Sequence, residues 1–432
     1  MSLWRTILLA VNLVGVRFAG AAIGLASQIL LARLLTQNDV GIVFMGMSAA
    51  AFISLLITGG YPTLAITCLP RYYALGRKNL VRAFHFASLR DSLWISLATF
   101  ALAAIVYFWL PLNDGIKTAL LFGCLSAPAS AFIRMNSAAA NSVRRYALSY
   151  VPDFLYRPGL LLAFLLAAWA LGMHLGVVQV LMAFVVMNTI VALGQAWFIR
   201  GEGIFSGLKW PRRHDLASLL RGRAAALVVV GAVAASFADI VTLIAGFFLP
   251  AEEVALVGVA IRLAALAGFI TQATQQFILP DLTAAMTRGT AQQVQAILLR
   301  INVIGLGAIL ACVVGATLFG TWALRIFGAE YEVGHWPLVL FMVSQAFRAA
   351  SGMNQHLLSL AGYQIRTAGS CLVAMGALIG GTALLAPNLG VMGLAIAVIL
   401  ADAVWAALLA LQAQRLTGRR GDILGVWSAK NA

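Results

Sequence analysis

The chain is 432 residues long, 62% hydrophobic and only 10% charged, where a soluble globular domain carries about 25% charged residues. That composition excludes an ordinary cytosolic enzyme. The net charge of +15 would admit a nucleic-acid partner only if the basic residues formed one continuous face, and they do not.

An α-helix crosses a hydrocarbon core of about 30 Å with about 20 apolar residues, because every backbone polar group must be bonded within the segment. By that measure twelve spans are predicted, over residues 8–32, 40–66, 91–110, 118–137, 152–171, 176–198, 224–248, 253–277, 298–319, 336–358, 368–386 and 391–413. The expected fold class is an all-α integral membrane protein of about twelve transmembrane helices.

Span one contains GVRFAGAAIGLASQILLA, with Asn12, Arg17 and Gln28 set among apolar residues and Gly20 and Gly24 at the spacing of a helix-packing motif. Its apolar run is too long for a signal peptide, so it is read as an uncleaved span. Counting back from Arg33 places Arg17 about 6 Å inside the cytoplasmic border. From there it can snorkel to headgroups, pair with Asp91 or Asp153 at the cytoplasmic starts of spans three and five, or meet a ligand entering from that side. Span two is entered through LLTQNDVGIV, with Asp39, and leaves through CLPRYY, with Pro70. Spans three to six follow on short connections, and span six holds Asn188 and Gln195.

The stretch 200–223, RGEGIFSGLKWPRRHDLASLLRGR, is the most polar internal segment. Its interleaved leucines, Trp210 and basic residues suit either a helix in the headgroup layer or a basic cytoplasmic linker. It divides the chain into an N-terminal six-helix lobe, 1–199, and a C-terminal six-helix lobe, 224–432. Spans seven and eight add Asp239, Arg262, Gln272 and Gln276; span ten adds Gln345, Arg348, Asn354 and Gln355; spans eleven and twelve add Gly376, Gly380 and Asp402. FFLPAEEVALV before span eight and ILPDLT after it, with Pro280, repeat the acid-then-Leu-Pro pattern around span two. Six spans per half leave both halves in one orientation, so the repeat is parallel and suits two lobes around a central cavity.

Most of the 29 lysines and arginines lie on alternate connections. They include Arg71, Arg77, Lys78, Arg82 and Arg90; Arg134, Arg144, Arg145 and Arg157; the linker cluster; and Arg415, Arg419, Arg420 and Lys430. The opposite side carries only Arg33, Lys117 and Arg325. This positive-inside pattern puts both termini in the cytoplasm and the basic loops against anionic phospholipids, with no nucleic-acid partner. Cys68, Cys124, Cys312 and Cys371 stand singly, and no HExxH, GxSxG or Walker loop occurs. No catalytic residue, metal or cofactor is therefore expected.

Charges inside a bilayer are costly and by default mark a substrate or ion pathway. Arg348 shares a helical face with Ser344, Gln345, Ser351, Gly352 and Gln355; Arg17 shares one with Gly24 and Gln28, and Arg262 with Gln276. The expected substrate-binding set is Arg348, Arg262, Arg17, Gln345, Gln355, Gln28 and Gln276, with Asp239 and Asp402 as ion-coupling groups. Internal pairing of Asp239 with Arg262, and of Asp402 with Arg348, is the structural alternative.

Twelve spans in two halves, QILLARLLTQNDVGIV at the end of span one, and RYYALGRKNLVRAF after Leu-Pro together resemble the polysaccharide flippases. These belong to the multidrug/oligosaccharidyl-lipid/polysaccharide export superfamily, which also holds the multidrug and toxin extruders. The sequence-level match is concentrated in residues 15–90. The resemblance implies two six-helix lobes around a central cavity, in a bacterial cytoplasmic (inner) membrane. It also implies transport of a polyprenyl-pyrophosphate-linked oligosaccharide from the cytoplasmic to the exoplasmic leaflet for exopolysaccharide biosynthesis, alongside a polysaccharide polymerase and glycosyltransferases. Twelve spans depart from the fourteen of the lipid II flippases, so that substrate is not carried over. An extruder of cationic drugs would need an acid-dominated cavity, whereas here three intramembrane arginines face two aspartates. A polyprenyl-phosphate transferase or polymerase would need a larger exoplasmic loop than this chain has.

Overall fold

A computed structural model describes residues 3–201, 236–288, 291–418, 420–423 and 425, which form helices and short connections with no strand among them. Helix α1 (Leu3–Leu34) is followed by α2 (Gln37–Thr58), whose start is capped where Thr36 Oγ1 accepts the Asp39 N–H at 3.2 Å. The acid in this first turn also complements the helix dipole. Gly59, at φ 55°, ends α2 in the left-handed conformation, and α3 (Tyr61–Ala74) resumes with Pro62 in its first turn. Predicted span two is thus two helices. The apolar run continues through the bend, but two successive glycines with positive φ interrupt the helix.

Helices α4 (Lys78–Trp109) and α5 (Asp114–Ser142) follow. The next span is composite: α6 (Tyr146–Val151), a π-helical turn over Pro152–Tyr156, and α7 (Arg157–Ala170). After it come α8 (Val177–Gly201), α9 (Ser236–Phe248), α10 (Ala251–Arg288) and α11 (Ala291–Arg325). A 3-10 turn over Ala329–Gly334 leads into α12 (His335–Ala350), then α13 (Asn354–Leu360) and α14 (Gln364–Thr417).

Helix α14 is a hairpin. Gly390, at φ 55° and ψ −135°, breaks it just after Pro387. Beyond the turn Gly393 abuts the Leu385 carbonyl, a Cβ on Gly381 would stand 3.1 Å from that of Ala397, and Gln412 reaches the Arg366 carbonyl at 3.4 Å. Those three contacts define antiparallel arms, which are predicted spans eleven and twelve. Among the described residues nine helical segments are long and apolar enough to cross a membrane. With the last of them doubled, and the shorter α9 and α12 added, described helices cover all or part of each of the twelve predicted spans.

Contacts divide the chain into two compact units, Met1–Gly246 and Phe247–Ala432. The expected linker, 200–223, lies outside the described residues from 202 onward. Helix α9, expected to open the second lobe, is grouped with the first: Gly246 sits on Met45 of α2, and Ser48 Oγ donates to Asp239 at 3.2 Å. In the first unit α2 and α8 pack on α5, and α1 lies along α7. In the second, α10 and α14 pack on α12, and α11 touches both α10 and α12. A bend follows α2 in the first unit and α12 in the second.

Polar side chains stitch the first unit internally. Asn188 donates to Ser126 at 2.7 Å, and Gln195 donates to Ser137 at 3.0 Å and to the Leu148 carbonyl at 2.8 Å. Both had the profile of pathway residues in the sequence; buried and bonded helix to helix, they are packing elements. The small-residue motifs divide as well. Gly20 packs directly on the Phe154 backbone, while Gly24, Gly376 and Gly380 have open space where a Cβ would project.

Candidate intramembrane polar site

The second unit brings Arg348 and Asp402 together. Arg348 lies in the last turn of α12, where the helix dipole favours a cation. Its Nη1 is 3.9 Å from Oδ1 of Asp402, on the far arm of the hairpin; the arginine side chain is 32% exposed and the aspartate 3%. Ser344, one turn earlier, faces the same carboxylate, and Cys371 on the near arm lies within electrostatic reach of the guanidinium. The expected partnership of Arg348 with Asp402 is present, at a separation longer than the 2.7–2.9 Å of a tight ion pair.

Depth follows from helix geometry. Gly390 lies against Glu253, and Gly334 lies near Leu256, so the hairpin turn and the starts of α10 and α12 share one end of the unit. At about 1.5 Å per residue, Arg262, Arg348 and Asp402 lie about 16, 20 and 18 Å from that end. For a core of about 30 Å that begins at this end, Arg262 and Asp402 lie near the middle and Arg348 about two-thirds of the way across. Arg262 donates to the Gly258 carbonyl at 3.1 Å and is half-buried. Gln345 is half-buried with Oε1 against Gly268 of α10.

The polar stripe of span ten ends earlier than its spacing predicts. The helix stops at Ala350 and restarts at Asn354, with Gly352 at φ 57° between. Gln355 therefore belongs to α13 and leaves the Arg348 face. The side chain of Gln276 lies outside the described residues.

In the first unit Arg17 stacks over two rings of the composite span, 5.4 Å from the centroid of Tyr150 and 5.6 Å from that of Phe154. Close approach of α1 to the π-helical turn at Gly20 sets this geometry. Asp91, considered as a partner for Arg17, is engaged by Arg90 at 2.7 Å and by the Tyr61 hydroxyl at 2.7 Å. Gln28 is half-buried on α1.

Asp153, the other candidate partner for Arg17, belongs instead to a charged group with two arginines that the sequence reading does not reveal. Arg157 reaches Asp153 at 3.4 Å and Ser130 at 3.2 Å, and stacks on Phe184 at 5.4 Å. Arg134, on α5, lies within electrostatic reach of Asp153, Arg157 and Asp239. Counting loop charges had assigned Arg134 and Arg157 to the membrane surface. The available signal was the spacing of Asp153 and Arg157 on either side of the irregular turn that Pro152 and Pro158 bracket; π-turns of this kind recur at functional sites.

A pocket of about 190 Å³ in the same unit is walled by Tyr61, Phe84, Phe132 and Met135, with His85, Ser88, Asn136 and Arg200 as its polar members. None of the expected site residues lines it. Among the described residues no histidine, cysteine or acidic cluster has the geometry of a metal site.

No family model matches the chain, and no curated protein does. Solved structures do. A structure described as the lipid II flippase MurJ in an inward closed conformation aligns over 93% of this chain and 87% of its own, with 12% identity and a TM-score of 0.72. An inward-facing multidrug resistance MATE family transporter of the MOP superfamily aligns over 96% of each chain, with 17% identity and a TM-score of 0.69. A MOP superfamily transporter from Pyrococcus furiosus, described as having a binding pocket of reverse polarity, aligns over 93% of this chain and 95% of its own, with 16% identity and a TM-score of 0.56. At these identities the likeness is one of fold: the chain has the multi-pass helical fold of MOP superfamily transporters.

Proposed function

We propose that the protein is a flippase that moves a polyprenyl-pyrophosphate-linked oligosaccharide from the cytoplasmic to the exoplasmic leaflet of a bacterial inner membrane, by alternating access and without catalysis. Both termini would lie in the cytoplasm. Arg348 is the observation that carries this reading: a guanidinium within the membrane core, a third exposed, 3.9 Å from its carboxylate. A charge held at that depth is expensive unless it is used. Arginine suits an anionic substrate because its planar fork donates bidentately to phosphate oxygens and keeps its charge at any working pH.

In this scheme Arg348 receives the pyrophosphate or an acidic sugar, Arg262 lies at similar depth, and Arg17 is an entry contact near the cytoplasmic border. Asp402 holds Arg348 when substrate is absent and gives way when phosphate arrives, which links binding to a change in the α12–α14 contact. Asp239 is the equivalent acid of the first unit. Neighbouring glycosyltransferases and a polymerase would make and consume the lipid-linked sugar.

The test is complementation of a flippase-deficient strain. Arg348→Ala should abolish surface polysaccharide at wild-type membrane levels, and Arg348→Lys, which retains charge without the fork, should restore only part of it. Normal polysaccharide with Arg348→Ala refutes the site. The second reading, extrusion of cationic drugs, has one feature in its favour: the first unit holds two acids, Asp153 and Asp239, within electrostatic reach of Arg134. Raised drug resistance in cells expressing the protein, with no effect on polysaccharide, would establish that reading instead.

A further inference from the structure

The bend between α12 and α13 leaves backbone groups that no helix satisfies, and buried N–H and C=O groups must be bonded somewhere. The far end of the chain supplies the partners. The Gly421 carbonyl accepts the Met353 N–H at 3.1 Å and Nδ2 of Asn302 at 2.9 Å, while its own N–H donates to Oδ1 of Asn354 at 2.6 Å. Asn354 Nδ2 reaches Asp422 at 3.2 Å, and Gln275 Nε2 bonds the Gly352 carbonyl at 3.2 Å. Helices α10 and α11 are thus each tied to the bend or the terminal segment by one hydrogen bond, and α13 by the two of Asn354.

The terminal segment is built to stay there. Asp422 is 4% exposed. Its carboxylate receives three hydrogen bonds from Arg420, the shortest 2.9 Å, and the Gly425 N–H at 2.7 Å. Those bonds close the segment on itself, and its ties to the rest of the unit are the Gly421 contacts and the 3.2 Å bond from Asn354 Nδ2. The two chain segments also touch through glycines. A Cβ on Gly352 would collide with Asn302 and the Gly421 carbonyl, and one on Gly421 would stand 2.8 Å from Leu357 and 3.1 Å from the Asn354 nitrogen. Arg420, counted in the sequence among charges that orient the chain, is committed instead to an internal contact.

We propose that Arg420, Gly421 and Asp422 form an internal clasp that fixes the end of α12 and so positions Arg348. Arg348 stands one helical turn before Gly352, in the turn whose end the clasp defines. Release of the clasp frees that turn and moves the guanidinium relative to Asp402 and Cys371. The functional meaning of the clasp rests on the reading of Arg348 given above; its existence does not.

Native cysteines provide the assay. Cys371 is fully buried within reach of Arg348, and Cys124 is buried in the other unit. Full-length Gly421→Val and Asp422→Ala proteins are labelled with N-ethylmaleimide, and modification at each cysteine is followed by peptide mass spectrometry. Both variants should accelerate labelling of Cys371 about tenfold, the effect of losing a net hydrogen bond. Labelling of Cys124 should be unchanged, and surface polysaccharide should fall as it does for Arg348→Ala. Unchanged labelling of Cys371 in both variants overturns the clasp, and equal acceleration at both cysteines replaces it with general loosening. Faster Cys371 labelling with normal polysaccharide overturns the positioning role. Labelling requires no substrate, so failure of the flippase reading leaves the clasp result intact.

Discussion

Replacing Asp402 by Asn removes the carboxylate charge beside Arg348 while nearly conserving its shape. At 3.9 Å and an effective dielectric constant of about 20, two unit charges attract by about 4 kcal/mol. The Arg348 side chain is 32% exposed, so screening reduces this to about 2 kcal/mol. The assay is a double-mutant cycle of Asp402→Asn, Arg348→Gln and the double variant. Unfolding by SDS in mixed micelles can be followed through the fluorescence of the ten tryptophans. Each single variant should lose stability, and the double variant should lose about 2 kcal/mol less than the sum, because neither charge is then left without its partner. A coupling below about 0.5 kcal/mol, the ordinary error of additivity, would refute the pairing and the exchange of Arg348 between carboxylate and substrate.

Asn188→Ala removes a buried 2.7 Å bond to Ser126 and should cost about 1 kcal/mol in the same unfolding assay, with surface polysaccharide unaffected; a transport defect at normal expression would return Asn188 to the pathway. Gly20→Val places side-chain atoms on the Phe154 backbone and should destabilise by about 1–3 kcal/mol, the range for overpacking; equal stability to wild type would show that α1 does not approach the π-turn so closely. Gly390→Ala forces a side chain into φ 55°, ψ −135° and toward Glu253, costing about 1–3 kcal/mol. Its unfolding midpoint should fall, whereas Gly380→Ala, with open space beside it, should be neutral.

The positions of the spans were legible because hydropathy reports directly on burial in lipid, and α14 shows it well: Pro387 and Gly390 separate two apolar runs that fold back as a hairpin. The bends within spans were not. No charged residue interrupts 52–64 and no proline interrupts 338–358, and the bends depend on positive φ at Gly59, Gly60 and Gly352. The misplacement of Gln355 follows from that, because a three-residue interruption ends the helical phase. Of the candidate site, Arg348 with Asp402 was legible, since an acid and a base at equal depth in neighbouring spans tend to pair. Arg134, Asp153 and Arg157 were not, because counting charges by loop gives no depth. Asn354 was assigned to the pathway for want of its partner: Gly421 and Asp422 lie nearly seventy residues away along the chain.

Exposure separates the polar residues that build this protein from those available to a substrate. Asn188, Gln195, Asn302 and Asn354 are each at most 3% exposed, and each holds a hydrogen bond of 3.0 Å or less or forms part of the terminal clasp. Their amide N–H groups are committed to these bonds, and giving them up to a ligand would leave a buried partner unsatisfied. Arg348 differs in exposure and place: it is the exposed member of its pair with Asp402, 3.9 Å away, and it stands at the end of a helix that a bend has terminated. Extending α12 through Gly352 would carry the dipole of the helix past Arg348 and weaken the preference for a cation there. The bend therefore serves the charge, and the clasp that satisfies the bend makes a cation within the membrane core compatible with a stable fold.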